Sequence, residues 1–272
     1  MDWDTFREKI QQDGRYSSAA DGGEPAVFAG RFDAYFYQGL ASVVWHCSAR
    51  ARRGELDSYW WGYWSMEMIR LIERCGGQVE IDMPATEMQA GKPFVVAANH
   101  MSLLETTILP AVLLPLGPLA VVVKDSLLEY PVFRHTMRAT RPISVGRKDP
   151  RSDLKTVLQD GSAALQEGRN VLIFPQATRD AVFRPAVFNS LGAKLAERNK
   201  RPLVPMALKT DFMGLGRIFK DIGRLDRSQT VRLSCSAPLP PEQGHRAVHA
   251  AAKAGISAML GEWGVQIEKE AQ

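Results

Sequence analysis

The fold is decided by the stretch Phe94-Val95-Val96-Ala97-Ala98-Asn99-His100-Met101-Ser102-Leu103-Leu104-Glu105-Thr106. Its first five residues form an unbroken apolar run, the pattern of a strand buried on both faces. The apolar run after Thr106 is longer and reads as a helix. A strand that hands over to a helix so quickly is the repeating unit of an α/β sheet, and open α/β sheets place their chemistry at that end of the strand. Here the turn carries a histidine and a carboxylate. On one continuous helix, at roughly 100° per residue, His100 and Glu105 would point about 140° apart. They meet only if His100 lies in the turn and Glu105 in the first helical turn. Ser102 favours that arrangement, because Ser-x-x-Glu ahead of an apolar run is the capping-box pattern, with Ser102 as N-cap and Glu105 at N3. The pattern by itself serves a capped helix as well as it serves catalysis, so the rest of the chain must decide.

Outward from this stretch, strand candidates recur at 78–82, 93–98, 119–123, 141–145, 170–174, 203–207 and 230–235, with helices between them. Asp149-Pro150 opens one helix as N-cap and N1, and Gly168 ends it. Others cover 189–199 and 247–263. The expectation is an α/β domain with a layered mixed sheet of about seven strands flanked by helices. The 18 residues between Glu105 and Lys124 are uncharged and mostly apolar. Pro110, Pro115, Gly117 and Pro118 split them into a buried helix, a turn and a buried strand, so they are not read as a membrane span.

Residues 1–26 are polar, show no clear period beyond a short helical start, and are expected to be loosely ordered. From 27 to 48, Phe28, Phe32, Tyr35, Phe36, Leu40, Val43 and Val44 recur at helical spacing. The uncharged stretch between Asp33 and Arg50 is 16 residues long, short of the roughly 20 a spanning helix needs. The basic turn Arg50-Ala51-Arg52-Arg53-Gly54 follows. A second helix then begins at Tyr59, Trp60, Trp61, Tyr63 and Trp64 and closes at Gly76-Gly77. Tryptophan and tyrosine favour the membrane–water interface, and nearby arginines favour anionic headgroups. The chain is therefore divided into 1–77, an N-terminal segment with an aromatic-rich, membrane-interfacial helical hairpin, and 78–272, the α/β domain.

Composition narrows the class. At 272 residues the chain can bury a sizeable core, and 45% apolar with 24% charged residues is ordinary for a folded protein. A net charge of +4 without a dense lysine tract argues against a nucleic-acid partner and suits an anionic lipid surface or a phosphate-bearing substrate. Cys47, Cys75 and Cys235 fit neither a disulfide framework nor a zinc site, and His46, His135, His245 and His249 lack metal-ligand spacing. No metal is expected. The acidic start Met1-Asp2-Trp3-Asp4 gives no expectation of a signal peptide. No Gly-x-Ser-x-Gly elbow or phosphate loop is present.

Two further strand ends deliver polar residues. Phe174-Pro175-Gln176-Ala177-Thr178-Arg179 offers a hydroxyl and a bidentate guanidinium, a suitable pair for a phosphate, and Ile143-Ser144-Val145-Gly146-Arg147 brings a second arginine. With His-x4-Glu at residues 100–105 and Pro202-Leu203-Val204-Pro205, the ordered set resembles the glycerolipid acyltransferases of the 1-acylglycerol-3-phosphate and lysophospholipid type, over about residues 90–240. Val121–Lys124 and Leu127–Pro131 look like the same family. The resemblance implies His100 as general base, Glu105 orienting it, and Arg147, Gln176, Thr178, Arg179 and Lys124 as substrate contacts. It also implies a lysophospholipid acceptor, an acyl-CoA or acyl carrier protein donor, no cofactor, and a peripheral place on the cytoplasmic face of a membrane. Two residues depart from it. Glu105 stands where aspartate is commoner, and Gln176-Ala177 replaces Glu-Gly, which bears on acceptor identity more than on reaction type. Acyltransferases that modify lipid A also use His-x4-Glu, so that acceptor class stays open, as do a catalytically weak lipid binder and a thioesterase using water.

Overall fold

The computed structural model of the chain describes residues 1–24, 26, 32–84, 88, 92–131, 133–176, 178–216 and 222–268. The sheet grows from the stretch around His100. Strand β3 (Val95–Ala98) is buried throughout because helices cover both its faces, and its side chains alternate between two cores. Val96 and Ala98 enter one core, and Val95 and Ala97 the other.

Among the described residues eight strands form one sheet: β1 (Arg15–Ser17), β2 (Val79–Asp82), β3, β4 (Leu119–Lys124), β5 (Ile143–Val145), β6 (Asn170–Ile173), β7 (Leu203–Lys209) and β8 (Val231–Cys235). Their spatial order is β1-β2-β8-β7-β3-β6-β4-β5. β3 runs parallel to β6 and β7, and β4 parallel to β6 and β5, so these five strands end at one edge. β1–β2 and β7–β8 are antiparallel, which makes the sheet mixed.

The extra strand corrects the sequence reading. Residues 1–26 are not loosely ordered: α1 (Trp3–Asp13) buries Trp3, Phe6 and Ile10, capped by Asp2, and β1 follows. On the same face lie α2 (Phe32–Arg52), α3 (Ser58–Arg74) and α4 (Leu104–Leu113), with Phe36, Met68, Ile72, Ile108 and Leu113 in one continuous core with the sheet. α2 runs on through Arg50 and Arg52, where a turn was expected, and Phe28 lies outside the described residues. The reading of 106–123 holds: α4 is buried, Gly117 turns the chain at φ +135°, and β4 follows.

α5 (Phe133–Ala139) packs on α2. α6 (Pro150–Gln166), α7 (Leu191–Asn199) and α8 (His245–Glu262) cover the opposite face through Val157, Leu165, Leu195, Ile256 and Leu260. The helix after β3 thus lies on one face and the helix after β6 on the other. Neighbouring strands whose chains part to opposite faces open a crevice at their carboxyl ends, and β3 and β6 are such a pair. Among the described residues no helix is long and apolar enough to cross a membrane.

Candidate functional site

His100 sits at the mouth of that crevice. Asn99 fixes the chain just before it: buried, it donates to the Leu208 carbonyl (2.8 Å) and accepts from the Leu208 N–H (2.7 Å), so a side chain continues the pairing of β3 with β7 past the end of the strand. Gln176 fixes it from the other side, its Oε1 accepting the His100 N–H at 3.2 Å. The Asp180 N–H donates to the His100 carbonyl at 3.0 Å. The imidazole stacks on Phe174, centroids 4.3 Å apart. Its backbone and ring are therefore held from both flanking strands.

The predicted pair meets. Glu105 Oε2 pairs with His100 Nδ1, and Glu105 is fully buried. The other oxygen, Oε1, accepts three bonds, from the N–H groups of Met101 (2.7 Å) and Ser102 (3.0 Å) and from the Thr210 hydroxyl (2.7 Å). An isolated buried carboxylate would be strongly disfavoured; four donors make this one tolerable and leave it a single rotamer. The capping box forms with a shift. α4 starts at Leu104, one residue later than expected, yet Ser102 Oγ accepts from the Leu104 N–H (3.2 Å) and Glu105 reaches back to the Ser102 N–H. Ser102 Oγ also donates to Thr210 Oγ1 at 2.9 Å, so the capping box and the His–Glu pair are one network. Since Glu105 occupies Nδ1, Nε2 is the ring atom left for chemistry, and the side chain keeps 11% of its surface exposed.

Thr210 was not found from the sequence. It lies just past β7, fully buried, 105 residues from Glu105, and no local pattern signals it. Gln176, expected as a substrate contact, is buried and its carbonyl oxygen is committed to the His100 backbone. Ala177 lies outside the described residues.

The other expected contacts line the same sheet edge. Lys124 is exposed at the carboxyl end of β4, Thr178 is exposed after β6, and Arg179 is half-buried beside it. Arg147 follows β5 with a left-handed backbone, φ +55°, its N–H bonded to Asp153 Oδ1 at 3.2 Å. Partial desolvation and the charge of Arg179 lower the Arg147 pKa, with Asp153 pulling it back; arginine stays protonated at any working pH. Among the described residues no three His, Cys, Asp or Glu side chains cluster as metal ligands.

Residues 81–209 match the family model "Acyltransferase". The match contains β3, β6, β7, the His–Glu pair and both arginines. Over these residues the chain is similar to acyltransferases. A 1-acyl-sn-glycerol-3-phosphate acyltransferase of Pseudomonas aeruginosa is 34% identical over 116 residues, 43% of this chain and 44% of that protein. One from Chlamydomonas reinhardtii is 28% identical over 170 residues, 62% of this chain and 49% of that one. The chain thus spans about half the length of the curated relatives it matches. The crystal structure of the 1-acyl-sn-glycerophosphate (LPA) acyltransferase from Thermotoga maritima superposes with a TM-score of 0.59 at 18% identity, over 84% of this chain and 94% of that one. That likeness reaches beyond residues 81–209 and is one of fold.

Proposed function

We propose that the protein transfers a fatty acyl group from an acyl thioester, carried by coenzyme A or acyl carrier protein, to the hydroxyl of a lysophospholipid of the 1-acylglycerol-3-phosphate kind. The observation that carries this is the buried Glu105 carboxylate locked on His100 Nδ1 at the β3–β6 crevice. That bond fixes the tautomer in which Nε2 has a free lone pair, the arrangement a general base needs. Nε2 takes the proton of the acceptor hydroxyl as its oxygen attacks the thioester carbonyl. The carbon–sulfur bond then breaks, and the leaving thiolate takes the proton from the imidazolium. No acyl-enzyme, metal or cofactor enters this scheme. Arg147 and Arg179, from the ends of β5 and β6 on either side of β4, hold the acceptor phosphate, with Thr178 and Lys124 at the rim.

The α2–α3 hairpin holds the protein peripherally on the cytoplasmic face of its membrane. Trp61 and Met66 fill core, but Trp45 is 64% exposed and the Arg50 guanidinium lies 3.4 Å over the Trp60 ring. An aromatic surface with cations beside it suits the headgroup region.

The test is thiol release from palmitoyl-CoA with and without lysophosphatidic acid, for wild type and His100→Ala. Release that depends on the lysolipid and falls about 10²–10⁴-fold in the variant is expected for loss of a general base. Release without lysolipid reveals a thioesterase. Equal release from both proteins removes His100 from the chemistry, and lysolipid binding without turnover leaves a lipid-binding relative.

A further inference from the structure

The face of the sheet opposite the aromatic hairpin carries a groove between α6 and α7, with a cavity volume of about 570 Å³. Leu154 and Leu158 give it an apolar floor, and Arg151, Lys155 and Arg198 stand along it. It continues past Arg198 and Gln166 into a smaller hollow of about 250 Å³, where Lys200 and Arg201 add two more cations. No aspartate or glutamate lines either part. Among the described residues none of these five cations is in an ion pair, although most carboxylates nearby are engaged, such as Asp153 with Arg147 and Glu197 with His245.

The shape argues against a small anion. α6 is 17 residues long, about 25 Å at 1.5 Å per residue, and the cations are strung along that length rather than converging on one point. A strip with an apolar floor and basic flanks is the complement of an acidic amphipathic helix. α6 also begins three residues after Arg147, so the strip starts at the edge of the sheet where His100 and the arginines stand. A partner seated there reaches the crevice from the side away from the hairpin.

We infer that the α6–α7 groove docks the acidic helix of the acyl carrier protein that delivers the acyl thioester. This rests on the acyltransferase reading above and selects the donor within it. A free coenzyme A thioester carries its phosphates on one nucleotide and has no acidic helix to lie along the strip, and this difference supplies the test.

Transfer to lysophosphatidic acid is measured with palmitoyl-CoA and with palmitoyl-acyl carrier protein, for wild type and the variant Arg151→Glu/Lys155→Glu/Arg198→Glu. In the variant, kcat/KM with the carrier-protein donor is expected to fall about tenfold or more, with palmitoyl-CoA turnover within about twofold of wild type. Fluorescence anisotropy of labelled holo-acyl carrier protein gives a readout independent of turnover: binding should weaken with salt and vanish in the variant. The inference is overturned by an equal loss with both donors, by undiminished carrier-protein turnover, or by a wild type that uses palmitoyl-CoA and ignores the carrier protein. It is also overturned if the variant loses binding to phosphatidylglycerol vesicles but keeps the carrier protein, which would make the strip a lipid contact. If wild type turns over neither donor, it is the acyltransferase reading that fails.

Discussion

Replacing Thr210 by valine tests whether the pair at the crevice works because its carboxylate is held in one orientation. Valine keeps the shape and burial of threonine but removes a hydroxyl that donates to Glu105 Oε1 (2.7 Å) and accepts from Ser102 Oγ (2.9 Å). A hydrogen bond to a charged group contributes about 1.5–3 kcal/mol, and the loss leaves Oε1 with only two backbone donors. A carboxylate held less firmly spends time with its Oε2 turned from Nδ1, and the imidazole then loses the partner that sets its tautomer. If the whole loss falls on the transition state, turnover drops roughly 10- to 150-fold. The drop should appear in kcat with KM for both substrates nearly unchanged, since Thr210 touches neither. Thr210→Ser, which keeps the hydroxyl, should recover most of the rate. Steady-state kinetics of the three proteins, with thermal melts as a folding control, decides the matter. A folded Thr210→Val enzyme within twofold of wild type refutes the reasoning, as does a serine variant as slow as the valine one.

Two further outcomes follow from the same structure. Phe6 is 1% exposed and stacks edge-on against Tyr16 at 5.1 Å, so Phe6→Ala should destabilise by about 3–5 kcal/mol and lower the melting temperature by roughly 6–20 °C, as read by calorimetry. An unchanged melt would show that α1 is not part of the folded unit. Burial pushes the Cys75 thiol up to about 11 and the Cys47 thiol up to about 12. A thiol raised in the folded state stabilises fully below the unfolded value of about 8.5, and that contribution is lost as pH climbs toward the folded values. Urea unfolding should therefore show stability falling between about pH 8.5 and 11. Native-state labelling by a thiol reagent at pH 8 should be slow at both residues, and prompt labelling of either would contradict the burial.

Much of this was legible in the chain because the decisive signals are local. The buried strands are short apolar runs with punctuation at both ends, and each of the seven candidates became a strand. His100 and Glu105 could be paired because a turn and a helix start lie between them. β1 escaped because three residues, Arg15–Ser17, are too few for an alternation to register. The packing of α1, of which only a short helical start was legible, was missed because its buried residues are three in eleven amid charged ones. The bond of Gln176 to the His100 backbone was not legible for a different reason. A carboxamide at a strand end suits a ligand or a neighbouring backbone equally, and only the approach of β3 to β6 decides for the His100 N–H. Thr210 and the order of the strands belong to the same class, being facts about which distant segments become neighbours.

The bond between Asn99 and Leu208 joins residues 109 apart. A ribosome that has just released β3 therefore still has to make over a hundred residues before that strand has its neighbour on the β7 side, and β2 waits longer still for β8. Until then the apolar run before His100 is an unpaired edge, the kind of surface that invites aggregation and calls for a chaperone. Nascent chains halted before residue 203 should accordingly be inert and sticky. The activity proposed above, which needs β7 and the Thr210 that follows it, should appear only in chains extended past residue 210.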